Sequence, residues 1–288
     1  MPIAPQKRHC MLPDLTFYSH WRSLAAYRVR VALALKGIAH KVVTIDISTG
    51  EHRRESFLAI NPQGVIPALA LPDGTVLSQS LAILEYLDEI RPRPPLLPQE
   101  PAARARVRSL ALIHAADVHP LLVPRVRARL SQQASIDDGA WKHWAHGALL
   151  PAMQAMEALL ANSPSTGRFC HGDAVTLADI GLSSQWVAMA LFGCDTAAFP
   201  TASRICASLG TINAFAQAHP LRQPDAPGAM SVGRERHQPD VLVDRQFPDR
   251  KQADRRAHVQ FDRVLHAVAE NGKRGVDVTD ADGDRFDG

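Results

Sequence analysis

At 288 residues the chain is long enough for one large domain or two ordinary ones. Its 46% hydrophobic and 21% charged content is that of a globular protein, and a formal net charge of +3 with scattered arginines gives no case for nucleic acid. No apolar run approaches the roughly 20 residues that span a bilayer, so no membrane partner is expected.

Residues 1–13 read as a leader, with Met11 as an alternative start. They lack the apolar core of a secretion signal, which gives the expectation of a cytoplasmic protein. The cysteines, Cys10, Cys170, Cys194 and Cys206, form neither a CxxC pair nor a metal-ligand spacing. Reduced thiols and no metal are expected. A strand is predicted over 14–19 (DLTFYS). HWRSLAAYRVRVALALKG then predicts a helix over 24–36, entered at Ser23 and stopped by Gly37. The β-branched HKVVTIDI predicts a strand over 40–47. VIPALAL and TVLS predict two more, joined by a Pro-Asp-Gly turn at 72–74. SLAILEYLDEI has apolar residues at helical spacing over 80–90. The order is β-α-β, then β-β-α.

RPRPPLLPQEP is proline-rich and marks a boundary. Beyond it the apolar spacing predicts helices over 102–116, 139–160, 178–191 and 201–218, and no strand. The organisation read from this is an α/β domain at 14–93, a linker at 94–101, an all-helical domain at 102–227 and a disordered tail at 228–288. Within the tail, VQFDRVLHAVAE is a helix candidate. TDADGDRFDG lacks the residue order and distal glutamate of a calcium loop.

Ser23 is the only small hydroxyl at the first helix entrance. Serine is among the best helix caps, worth about 1 kcal/mol through its oxygen accepting a backbone N–H. The same geometry suits an anion, because a helix N-terminus offers free N–H donors and partial positive charge. A thiolate held there is stabilised, and a serine hydroxyl adds one more bond to its sulfur. Arg22 and Arg28 would add positive potential. No cysteine of the chain falls at this spot, so the thiol must come from a ligand. Pro67 follows Ile66 in a strand candidate; proline cannot donate to a ladder, which puts it at an edge or in a cis peptide. Either leaves the Ile66 backbone free for an extended partner. Gln79 and Ser80 open the next helix, with Ser80 a cap candidate, and offer donors for a carboxylate. Two serine-bearing helix starts with an unpaired strand segment between them suit a small anionic peptide with a thiol, and glutathione fits.

HWRSLAAYRVRVALALKGI, NPQGVIPAL, LSQSLAILEYLDE and GDAVTLADIGL together resemble the zeta class of glutathione transferases, whose nearest members are maleylacetoacetate isomerases and bacterial maleylpyruvate isomerases. The likeness runs over about 15–227. It implies the glutathione transferase fold: a thioredoxin-like α/β N-terminal domain, an all-α C-terminal domain and a homodimer. By this resemblance Ser23 matches the serine that activates the glutathione sulfur, with Arg22 beside it, and Leu24, Ala25, Ala26, Tyr27 and Arg28 complete that loop. His52 and Ile66 match positions that contact the peptide, Pro67 the cis-proline, and Gln79 and Ser80 the pair that holds the γ-glutamyl end. His119 falls where the family reaches glutathione from the helical domain. Arg125, with Val123 two residues before it, matches the substrate side. Thr176 to Asp179 (TLAD) matches the capping box of the fold.

The departures concern the substrate. Leu24 and Ala25 replace a second hydroxyl and a cysteine. Leu122 and Val123 stand at usually polar positions, and Leu191 stands where an arginine takes a substrate carboxylate. The glutathione half is kept and the substrate half is more apolar. The resemblance implies a glutathione-dependent isomerase; a transferase conjugating apolar electrophiles and a non-catalytic glutathione-fold module are the alternatives.

Overall fold

The computed structural model describes residues 14–227; the readings placed on 1–13 and 228–288 lie outside them. LTFYS forms β1 (Leu15–Ser19), whose alternation buries Leu15, Phe17 and Ser19 on one face. The sheet order is β2-β1-β3-β4, with β2 (His40–Thr44) parallel to β1. β3 (Ala68–Ala70) runs antiparallel to both β1 and β4 (Val76–Ser78). β2 stops at Thr44 rather than at residue 47: it is an edge strand, and its pairing ends where β1 ends. The peptide between Ile66 and Pro67 is cis.

Parallel β1 and β2 require a crossover, and α1 (Leu24–Lys36) supplies it. Ser23 accepts from the Ala26 N–H at 3.1 Å, and Gly37 ends the helix at φ 60°, a left-handed conformation that favours glycine. Nearly every side chain of α1 is buried, because the helix packs against α3 (Ser80–Ile90), α7 (Leu177–Phe192) and α9 (Asn213–Ala218). Lys36 is held at its end by Asp88, with Nζ–Oδ1 2.5 Å, and by the carbonyls of Arg91 and Pro94. In the proline-rich stretch Leu96 and Leu97 are buried, and the Leu177 N–H donates to the Leu96 carbonyl.

The helical part comprises α4 (Pro101–Leu112), α5 (Pro124–Ala134), α6 (Asp138–Ala161), α7, α8 (Pro200–Gly210) and α9. Two expectations change here. The helix foreseen over 102–116 keeps its α register only to Leu112 and continues as a π-helical segment, Ile113–Val118. The helix foreseen over 201–218 breaks at Thr211 and Ile212 into α8 and α9. Between β2 and β3 the chain forms a 3-10 turn (Glu51–Arg53) and the short α2 (Glu55–Leu58). At the start of α7 Asp179 closes the capping box: it accepts from the Thr176 N–H at 2.7 Å, and its other oxygen accepts from the Cys170 N–H at 2.8 Å. Among the described residues no helix is long and apolar enough to cross a membrane, and no group of three or more His, Cys, Asp or Glu could hold a metal ion.

Candidate glutathione site

Strand register brings the candidate residues to one end of the sheet. Tyr18, Ala68 and Ser78 pair in one row. The next positions along those strands are Ser19, Pro67 and Gln79, so the loop into α1, the Ile66–Pro67 peptide and the start of α3 meet there. Ser23 is partly exposed at the α1 entrance. Its oxygen is occupied by the Ala26 N–H, while nothing among the described residues accepts its O–H. The N–H groups of Leu24 and Ala25 belong to the first turn and have no intrahelical acceptor. No acidic residue stands in that turn to compete for an anion.

The loop ahead of Ser23 is fixed from two sides. Arg30, buried in α1, donates to Ser19 Oγ at 3.1 Å, to the carbonyls of His20 and Trp21 at 3.3 and 3.1 Å, and to the Ala218 carbonyl at 2.9 Å. Asp225 accepts from the Trp21 N–H at 2.8 Å and lies 3.6 Å from His20 Nδ1. Burial lowers the His20 pKa, against the pull of Asp225 and Asp46.

The backbone of Ile66 takes no partner in the sheet or in the turns around it. Asn61 steadies the approach by donating to the Val65 carbonyl at 2.7 Å. His52 adjoins this segment: its carbonyl is 3.1 Å from where a Cβ on Gly64 (φ 59°) would sit. Its pKa is lowered by burial, then by Arg53 and His20. Gln79 is exposed at φ 68° and donates to Gln63 Oε1 at 3.2 Å. Gln79, not Ser80, occupies the cap position of α3, and no side-chain cap bond forms there. Ser80 is the first helical residue, is buried, and accepts from Arg28 Nε at 2.9 Å.

That bond corrects the role expected for Arg28. Its guanidinium does not reach out to the Ser23 entrance; it lies inside the fold, 2% exposed, on Ser80 Oγ and on Ser184 Oγ at 3.1 Å. The set lining the loop narrows with it. Ala26 and Tyr27 are buried, and burial raises the Tyr27 pKa although a side-chain hydrogen bond with Ser183 lowers it. Leu24 and Ala25 are each 7% exposed, so this loop offers a ligand the Ser23 hydroxyl and the backbone of the first turn. Arg22 is exposed.

His119 is partly exposed, and its ring centroid is 5.7 Å from that of His114. Its pKa is pushed down to about 3 by burial, then by Arg28 and Arg125. His114 is fully buried, and its pKa is held well below the usual value by burial, then by Arg28 and His119. Both rings are therefore neutral. Val123 caps α5 without a side-chain bond, Arg125 is exposed on its first turn, and Leu122 belongs to the core. Leu191 is partly buried against that core.

Glutathione offers two carboxylates, an extended backbone and a thiol. The donor set matches it: an unclaimed serine hydroxyl and first-turn N–H groups, an unpaired backbone segment, and a second helix start. Sequence reasoning missed Ser184, His114 and Asp225. The signal for Ser184 was available, as a hydroxyl inside the apolar run of α7; the others carried none.

Comparison with known proteins agrees. The model for the glutathione S-transferase N-terminal domain matches residues 22–90. Maleylacetoacetate isomerase of Rattus norvegicus is 39% identical over 215 residues, covering 74% of this chain and 95% of that protein. A crystal structure of maleylacetoacetate isomerase from Methylobacterium extorquens AM1 with bound malonate and GSH is 51% identical, with TM-score 0.72, covering 74% of this chain and 100% of that one. A holo structure of a maleylpyruvate isomerase, a bacterial zeta-class enzyme, is 37% identical over the same shares of the two chains, with TM-score 0.72. The chain belongs to the zeta-class glutathione S-transferase family, alongside the maleylacetoacetate and maleylpyruvate isomerases.

Proposed function

We propose that this chain is a glutathione-dependent cis–trans isomerase of maleylacetoacetate or maleylpyruvate, serving the breakdown of aromatic amino acids and related compounds. The observation that carries the reading is Ser23, whose oxygen accepts from the Ala26 N–H while no described residue accepts its proton, at a helix start without an acid. Glutathione is the cofactor; when bound it supplies a thiolate that adds reversibly to a cis double bond conjugated with a carbonyl, so that the carbon–carbon bond can turn.

Ser23 and the first-turn N–H groups hold the sulfur as an anion. The Ile66 backbone pairs with the extended peptide, with His52 beside it. Gln79 and Ser80 take the γ-glutamyl carboxylate, and His119 approaches from the helical part. Arg22 and Arg125, both exposed, supply positive charge as negative charge develops on the substrate's carbonyl oxygen. Val123 and Arg125 border the substrate.

A second reading, a transferase for apolar electrophiles, is favoured by Leu122 in the core and by Leu191 at a usually charged position. One assay separates the two: following maleylacetoacetate and maleylpyruvate by absorbance with and without glutathione. Glutathione-dependent conversion to the fumaryl product is expected. Binding of glutathione without conversion would favour the transferase.

A homodimer and a cytoplasmic location complete the proposal. A mainly apolar cleft of about 380 Å³ between α3 and α4, lined by Leu81, Ala82, Leu112 and Leu177, supports the dimer, since Leu112 is 44% exposed there. Sedimentation at two concentrations tests it.

A further inference from the structure

Two arginines are buried side by side in α1, and they are treated differently. Arg30 meets four oxygens, three of them carbonyls. Arg28 meets two neutral hydroxyls, and among the described residues no acceptor takes its Nη2 and no carboxylate lies within ion-pair distance. Nor can the two histidine rings near it supply a negative charge. Burial pulls its pKa down to about 9, which leaves it charged at neutral pH. A buried charge without a counter-charge is costly, by several kcal/mol in typical cases.

What Arg28 touches gives the buried charge a use. Ser80 Oγ accepts from Nε, and nothing among the described residues accepts the Ser80 O–H. The guanidinium occupies one of the hydroxyl's two lone pairs and leaves its proton to be given away. Ser184 Oγ accepts from Nη1 and passes its own proton to the Leu24 carbonyl at 3.3 Å, next to Ser23. One side chain thus joins the start of α3, the start of α1 and the middle of α7.

We propose that Arg28 is a positioning residue for glutathione: it orients the Ser80 hydroxyl as a donor, and the γ-glutamyl carboxylate is the counter-charge it lacks. This rests on the glutathione reading above and adds to it a determinant of selectivity for a carboxylate at that end. The same bonds tie the carboxylate end of the site to the loop that holds the sulfur.

The test compares glutathione with its analogue in which the γ-glutamyl α-carboxylate is an amide, titrated against the full chain by calorimetry. The unaltered protein should favour glutathione by about tenfold or more, as charged hydrogen bonds do. Arg28→Gln keeps a donor for Ser80 but drops the charge. It should weaken glutathione binding by about tenfold or more while leaving the amide unchanged, and Arg28→Lys should restore part of the preference. Equal weakening of both ligands, or an unchanged ratio in Arg28→Gln, would overturn the proposal. Should Arg28→Gln fail to fold, the other two proteins decide: a ratio near one in the unaltered chain, or no preference in a folded Arg28→Lys, overturns it equally. Absence of glutathione binding by the unaltered chain would overturn the reading beneath it; binding without a carboxylate preference overturns this proposal alone.

Discussion

Ser23 caps α1, and in the proposed reaction it also serves the glutathione sulfur; the two jobs have different magnitudes. Loss of the cap costs about 1 kcal/mol. Loss of a donor to a developing anion typically costs about a hundredfold or more in rate. Ser23→Ala should therefore lower kcat/KM by about a hundredfold while moving stability by about 1 kcal/mol, read by steady-state kinetics beside denaturant unfolding. A proportionate loss of both would make Ser23 a cap and nothing more. Ser23 was legible because small hydroxyls ahead of an apolar helix are few. Arg28 was not: an arginine inside a helix ordinarily carries its charge to the surface along its stem. Only the packing of α1 against α3 and α7 closes that route.

Among elements, α1 and α3 could be read to their last residues because punctuation and periodicity agree. Ser23 and Gly37 bracket the one, and Gln79 and the prolines after Ile90 bracket the other. The π-helical segment could not be read, since the apolar spacing runs on through Ile113 and Val118 while the hydrogen bonds change register. α5 went unread because none of its residues is buried, so it shows no apolar stripe. Its signal was Pro124 at the first position, followed by good helix formers. Lys36 joins the ends of α1 and α3: it is fully buried, and Asp88 also accepts from the Leu96 N–H at 2.8 Å. Lys36→Ala removes the counter-charge of that carboxylate and the donor to two carbonyls. It should destabilise by about 3 kcal/mol or more in denaturant unfolding. A loss below about 1 kcal/mol would place the pair with ordinary surface bridges.

For the whole molecule, three histidines set a response to acid. His114 is held well below the usual value; His119 is pushed to about 3 and His219 to about 4, each by burial first, with arginines adding. In the unfolded chain they titrate near 6.5. Above that pH neither state binds the protons and the stability is intact. As pH falls below about 6.5 the unfolded chain takes up protons that the folded chain refuses. Stability should then drop by up to about 1.4 kcal/mol per pH unit for each group, until the folded pKa values are reached. Denaturant midpoints from about pH 7.5 down to 5 check this, and a flat profile would contradict it. The arrangement also places the chain's charge usefully. With its buried histidines neutral, positive charge around the candidate site comes from arginines, among them Arg28 and Arg30 inside and Arg22 and Arg125 outside.

The central claim is that the start of α1 holds a thiolate, and the direct measurement is the ultraviolet titration of the thiol of bound glutathione. The expected result is an apparent pKa clearly below the value of about 8.5 for a free thiol, rising by about a unit or more in Ser23→Ala. A bound thiol that titrates like a free one, or at the same pH in both proteins, would contradict it.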